Sequence, residues 1–383
     1  MQRVDHRHDD YESLTAALRI LCNPGDTSKR LAAAATLKSL LSRADRRELA
    51  QQSLPILLQN LEPLLAESAE QISRQMPPLL GVIGAAQRPE LRGFGHWLID
   101  AAQRMSGLAD SIRQSAWRML VLTLHECLSS LIRERSAECA AVVLPDLLGC
   151  LRWMLGSSSG PSVLAALLPL LTTIASQPEL APTLVPHFPE LVDLLLGWAL
   201  NATVKPGLAA EVNLTLSSLG GAWTAHPTLG LALVRHMLED MEALPLAPEA
   251  PSPASMPAQV GPQLARFTSS IAAIVSGLGA HLYASAAEQP ELTSRWMQCL
   301  ASRLPVELAG ARPLVSSASE LIAAAESSVM IAAEALRGKL APCHGAAARA
   351  VLAPLHLPNC RTAEILRALS LHEALLRLQG SSL

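Results

Sequence analysis

Pro186-His187-Phe188-Pro189-Glu190-Leu191-Val192-Asp193-Leu194-Leu195-Leu196-Gly197-Trp198 is followed by Lys205-Pro206 and then by His236-Met237-Leu238-Glu239-Asp240-Met241-Glu242-Ala243. The apolar spacing here decides the fold. Leu191, Leu194, Leu195 and Trp198 fall at i, i+3, i+4 and i+7, which is one stripe of an α-helix. Pro206 opens the next helix, because proline at a first helical position loses no hydrogen bond. Leu208, Val212, Leu216 and Leu219 give that helix its facing stripe, and Leu229, Leu233, Met237 and Met241 give a third. Three amphipathic helices at this spacing make one stacked helical unit of the kind that repeats in solenoids.

The same period recurs along almost the whole chain. Leu14, Leu18 and Leu21 start a first helix, which stops at Asn23-Pro24-Gly25. Asp26-Thr27-Ser28 offers caps to a second, carrying Leu31, Leu37, Leu40 and Leu41. The count comes to roughly 16 helices of two to five turns. No strand alternation of useful length appears, and aromatic residues make up only 3% of the chain. An internal echo points to repetition. Pro145-Asp146-Leu147-Leu148 leads to Trp153, and Pro189-Glu190-Leu191-Val192 leads to Trp198, 44 residues on, with Pro55-Ile56-Leu57-Leu58 a further 90 residues upstream of Pro145. A period near 45 fits helix pairs of the HEAT or armadillo kind. The expected fold class is therefore all-α, an α-solenoid of HEAT/armadillo-like hairpins.

The expected organisation is a disordered N-terminus over 1–10, a helical repeat array over 11–244, a Pro-rich loop over 245–262 and continuing helical repeats over 263–383. The loop holds six prolines, which no helix crosses.

Thirty Lys and Arg oppose 33 Asp and Glu, and the net charge of -3 offers no general attraction to nucleic acid or an anionic membrane. Two short basic clusters, Arg43/Arg46/Arg47 and Arg133/Arg135, read as solvated helix faces. The uncharged run between Arg152 and Glu179 is interrupted by Gly156–Pro161 and by Pro169, and so is too broken to span a membrane. The run between Arg266 and Glu288 places Ile271, Ile274, Val275, Leu278 and Leu282 on one face, as in a helix packed on one side. The seven cysteines form no C-x-x-C pair and suit reduced thiols of the cytosol or nucleus. The polar N-terminus lacks the apolar stretch of a signal peptide.

Catalytic signatures fail on context. Gly156-Ser157-Ser158-Ser159-Gly160 matches G-x-S-x-G, but a helix precedes it where a strand is required. His125-Glu126 lacks the second zinc histidine, since Ser129 stands there. Cys343-His344 has no partner at ligand spacing, and Gly93-Phe94-Gly95 is followed by Leu98 where a third glycine would stand. Glu239, Asp240 and Glu242 are neighbours on one helix end, not an opposed acid–base pair. No cofactor and no metal are expected.

The wording of the opening stretch goes beyond its period. His187-Phe188, Leu191 to Trp198 with Lys205-Pro206, and Leu238-Glu239-Asp240-Met241-Glu242-Ala243 resemble the N-terminal helical region of the nonsense-mediated mRNA decay kinases of the SMG-one type, within the phosphatidylinositol-3-kinase-related protein kinases. Leu14-Thr15-Ala16-Ala17-Leu18-Arg19 and Lys29-Arg30-Leu31-Ala32 resemble the same family, in the same order. The chain departs from it in being rich in Ala and Pro and in lacking a strongly acidic loop. The resemblance implies a non-catalytic scaffold arm of a Ser/Thr kinase in the cytoplasm, with some access to the nucleus. It also implies docking of the SMG-eight and SMG-nine type accessory subunits and attachment to a downstream kinase domain. The residues carrying it are Phe188, Leu191, Asp193, Gly197, Trp198, Lys205, Pro206, Glu239, Asp240, Met241 and Glu242, as packing or partner-docking positions. The rival reading is an unrelated HEAT-like adaptor, a trafficking or phosphatase scaffold.

Overall fold

The computed structural model describes residues 2–299, apart from 44–46, 68, 89–90, 158–159, 245–259 and 290. Most of the expected Pro-rich loop, the tip of the Gly156–Gly160 segment, Cys343-His344 and the repeats expected beyond 299 lie outside these residues. Among the described residues every regular element is a helix. The chain forms two compact units, Met1–Leu191 and Val192–Leu383.

The first unit contains α1 (Gln2–Cys22), α2 (Thr27–Leu41), α3 (Arg47–Gln52), α4 (Leu54–Leu65), α5 (Glu70–Ser73), α6 (Met76–Ala86), α7 (Arg92–Met105), α8 (Asp110–Arg133), α9 (Glu138–Ala141), α10 (Leu144–Gly156), α11 (Pro161–Ser176) and a 3-10 helix, Ala181–His187. Helix α12 (Phe188–Leu200) runs through the boundary. The second unit continues with α13 (Pro206–Ser218), α14 (Gly220–Ala225), α15 (Pro227–Ala243), α16 (Val260–Leu278) and α17 (Ala280–Ser285).

Proline punctuates this array as expected. Helices α4, α6, α10, α11, α13 and α15 all carry it in the first or second position, and α12 opens Phe188-Pro189. The three echoed prolines, Pro55, Pro145 and Pro189, thus hold equivalent places. Pro169 behaves differently from expectation, since α11 continues through it. Pro169 and Ala165, whose carbonyl loses its partner, are both exposed, so water can replace the missing bond. Leu164, Leu167, Leu168, Leu170 and Leu171 are all buried and offset the cost.

Helix α8 is the axis of the first unit. It packs against α6, α11, α7 and α4, and it buries Trp117, Leu120, Leu124, Cys127, Leu128 and Leu131. The α6–α8 approach depends on Gly81: a Cβ there would lie 2.6 Å from Glu126 Cβ and 3.0 Å from the Cys127 backbone nitrogen. Helix α8 ends in a Schellman motif. Ser136 N–H donates to Leu131 C=O at 2.9 Å and Arg135 N–H to Ile132 C=O at 3.0 Å, with Arg135 at φ 52. Arg30 ties the first helices together. Its Nε donates to Leu21 C=O at 2.8 Å, and both Nη atoms grip the Glu67 carboxylate at 2.6 Å.

Helix α16 is the axis of the second unit, meeting α13, α14, α15 and α17. Ile271, Ile274, Val275 and Leu278 are buried as the pattern requires, but so are Ala272, Ala273 and Ser270. The expectation of a helix packed on one side is corrected: α16 is enclosed nearly all round. Ser270 Oγ donates to Asn213 Oδ1 at 3.1 Å, which satisfies a buried hydroxyl. The helix also ends earlier than its apolar run, at Gly279 (φ 78), so Leu282 belongs to α17.

Two boundaries differ from the expected ones. Helix α1 starts at Gln2, before the position of 11 assigned to the array. Extension of an existing helix costs little per residue, so a polar run can prolong one whose apolar face comes later. Helix α16 starts at Val260, two residues before the expected end of the loop, with Pro262 in its first turn. No described helix is long and apolar enough to cross a membrane.

Candidate docking surfaces

Two grooves open on the first unit. The first lies along α4 and α7. Helix α4 spends Leu57, Leu58, Leu61, Leu64 and Leu65 on its buried face, which leaves Pro55, Gln59, Glu62 and Pro63 along its flank. Opposite them stand Trp97, Arg104 and Met105 of α7, with Leu108 beyond. Glu62 joins the walls. Its carboxylate accepts from Trp97 Nε1 at 2.9 Å and from Arg104 Nε and Nη2 at 2.8 and 2.7 Å. The bidentate pair raises the Arg104 pKa and fixes α7 to α4. The cavity measures about 750 Å³.

The second groove, about 710 Å³, is walled by Leu54, Pro55, Leu91, Val142 and Val143, with Gln51 and Arg92 at its rim. Val142 is 56% exposed. The chain turns between α9 and α10 there, so Val142 falls outside both. Pro55 lines both grooves, which makes them neighbours. Their volumes are of the order that binding sites need, and their walls are mainly apolar with a few fixed polar groups. Such a trough can hold a side of a peptide or helix. Its lining was not legible beforehand, since exposure of Leu108 and Val142 depends on where helices end.

A third, smaller cavity of about 240 Å³ brings together Lys38, Arg43, Arg47 and Arg133. The two basic clusters read as separate solvated faces therefore converge through Arg43, Arg47 and Arg133. Arg46 lies outside the described residues.

The residues of the family-like stretch divide into core and surface. Phe188, Leu191, Val192, Leu195 and Ala199 form the buried face of α12, and Leu194 and Trp198 lie half-buried on its flank. The stripe is thus rotated from the expected one. In α15 the buried positions are Gly230, Val234, Met237, Leu238 and Met241, while Leu229 and Leu233 are only half-buried. Pro206 begins α13. Asp193, Gly197, Lys205, Glu239 and Glu242 are exposed and Asp240 is half-buried. Gly197 has open space where a Cβ would stand, so packing does not require glycine there. Glu242 is held by Arg295 at 3.0 and 2.7 Å. His236 lies 3.9 Å from Glu239 and 3.8 Å from Asp240. Trp223 is wholly buried, and its Nε1 donates to Leu216 C=O at 2.7 Å.

The reactive side chains in view serve packing. Burial pushes the thiol pKa of Cys127 to about 12 and that of Cys150 to about 11, which holds both protonated. Burial lowers the His125 pKa, and its Nε2 lies 3.1 Å from Thr173 Oγ1. Burial, then the Arg152 charge, lowers that of His187. Among the described residues no three His, Cys, Asp or Glu side chains gather in a group that could hold a metal.

No established protein-family profile matches the chain. It is similar to the serine/threonine-protein kinase SMG1 of Danio rerio, with 24% identity over 240 residues. Those residues are 62% of this chain and 6% of that kinase. Among solved structures it resembles importin beta crystallised in polyethylene glycol, at a TM-score of 0.50 and 16% identity, over 96% of this chain and 44% of that one. Importin beta from ammonium sulfate gives the same TM-score and identity over 97% and 42%. The structural likeness bears on fold alone: the chain has the helical-repeat fold that its periodicity indicates. The sequence likeness bears out the resemblance to the SMG-one type kinases.

Proposed function

We propose that this chain is a scaffold arm of a phosphatidylinositol-3-kinase-related Ser/Thr kinase of mRNA surveillance, acting in the cytoplasm. The similarity to SMG1 over 240 residues carries this reading. The matched segment covers only 6% of that kinase, so it corresponds to one small part of a much longer chain. On this reading the mechanism is binding. A stack of rigid helices offers side chains at fixed separations, and a partner gains affinity by filling apolar pockets without reordering the scaffold. The trough along α4 and α7 offers one such place. By the same resemblance, the partners are the SMG-eight and SMG-nine type accessory subunits and the downstream kinase domain.

An unrelated HEAT-like adaptor would share the fold but not the sequence match. The test is the full-length transcript that encodes this chain. An open frame continuing past Leu383 into a lipid-kinase-like catalytic domain is expected. A transcript that stops there, with a separate gene for the complete kinase in the same genome, would overturn the reading.

A further inference from the structure

We infer that the cavity between the C-terminal ends of α2 and α8 seats a phosphorylated serine or threonine of a partner protein. The charges come first. Among the described residues that line the cavity, the basic Lys38, Arg43, Arg47 and Arg133 outnumber the acidic Glu126 and Glu134. A phosphomonoester brings about -1.5 to -2 at neutral pH and three strong acceptor oxygens. At about 240 Å³ the cavity admits one such group on a side chain. It falls below the roughly 300 Å³ at which drug-sized ligand sites begin. Nucleic acid is disfavoured, because it is read by an extended basic stripe and this is a single pocket.

The basic groups are also pre-positioned. Glu134 accepts from Arg47 Nη2 at 3.0 Å and from Arg88 Nη2 at 2.6 Å, so one carboxylate anchors two guanidinium groups. Arg88 also donates to Ser136 Oγ. A guanidinium has five donors, so Arg47 keeps several for a ligand. Arg133 spends Nε on Ser129 C=O at 3.2 Å and Nη2 on Ser130 Oγ at 3.0 Å. Both acceptors are neutral, which leaves its charge for an incoming anion. Arginine forks match phosphate oxygens in pairs, and clusters of them are a recurring means of reading phosphorylated motifs.

A plainer cause explains only half of the cluster. Lys38 and Arg133 stand in the last turns of α2 and α8, where cations complement the helix dipole. Arg43 lies beyond α2, and Arg47 opens α3, at the helix end where a positive charge is disfavoured. Their presence at the same cavity is not accounted for by helix ends.

The test uses the whole 383-residue chain and three degenerate peptide libraries with a fixed central residue: phosphoserine, serine or aspartate. Binding is read by fluorescence polarisation at physiological salt. The phosphoserine library is expected to bind at least tenfold more tightly than the other two. The double substitution Lys38→Glu with Arg133→Glu should abolish that preference, and Arg19→Glu, outside the cavity, should leave it intact. Circular dichroism melts confirm folding, and Lys38→Met with Arg133→Met provides a second, milder loss of charge. Equal binding of the aspartate library would overturn the inference, as would a preference that survives both double variants. Tighter binding of a single-stranded RNA of matched length would overturn it as well.

Discussion

Helices α8 and α16 hold the same position in their units, yet their surroundings are built by opposite means. Around α8 the small residue sits on the neighbour: Gly81 of α6 lets the backbone of α8 come close. Around α16 the small residue sits on the axis: Gly277 leaves room for the ring of Trp223, whose Cδ1 lies 2.3 Å from where a Cβ would stand. Both units then use a buried tryptophan. Trp117 Nε1 donates to Ala102 C=O at 3.0 Å and Trp223 Nε1 to Leu216 C=O at 2.7 Å. The difference teaches that a central helix needs a close approach somewhere, and that backbone or side chain can supply it.

The comparison can be broken most forcefully at the tryptophans. Trp117→Ala and Trp223→Ala should each cost about 3–5 kcal/mol in urea unfolding, from lost burial and the cavity left behind. A loss under about 1 kcal/mol at either would remove that residue from the core. The glycines sharpen it. Gly81→Ala and Gly277→Ala should each cost about 1–3 kcal/mol through overpacking. Truncating the Trp223 ring should relieve part of the Gly277→Ala loss, because the nearest obstacle there is a side chain, with the Leu216 carbonyl oxygen 3.2 Å away. No side-chain truncation should relieve Gly81→Ala fully, because the Cys127 backbone nitrogen stands in the way.

The smallest effect concerns pH. Burial lowers the folded-state pKa of His125 below its ordinary 6.5. The unfolded chain therefore binds its proton first as pH falls. The stability due to neutral His125 is complete above pH 6.5 and is lost on descending towards the folded-state pKa. His125→Gln should flatten the melting-temperature profile between about pH 7 and 5 by a degree or two. An unchanged slope would show that His125 does not contribute.

Much of this architecture was legible because period and punctuation agree. Pro55, Pro145, Pro189 and Pro206 mark helix starts for a reason local to each residue, and leucine spacing marks the buried faces to within a rotation. That rotation was the limit. In α15, Leu233 and Val234 are both apolar, and only the tertiary packing makes Val234 the buried one. The enclosure of α16 was hidden for the same reason, since Ser270 looks like a solvent residue until Asn213 is placed beside it. The surfaces were less legible still. Arg43 and Arg133 are separated by five complete helices, α3 to α7, and most of α8, and no local pattern indicates that they share a cavity.

The most direct test of the arm reading is affinity purification of the tagged chain from its own cells, with the co-purifying proteins identified by mass spectrometry. Recovery of the SMG-eight and SMG-nine type accessory pair in near-stoichiometric amount is expected. Recovery of a transport or phosphatase complex without that pair would contradict the arm reading.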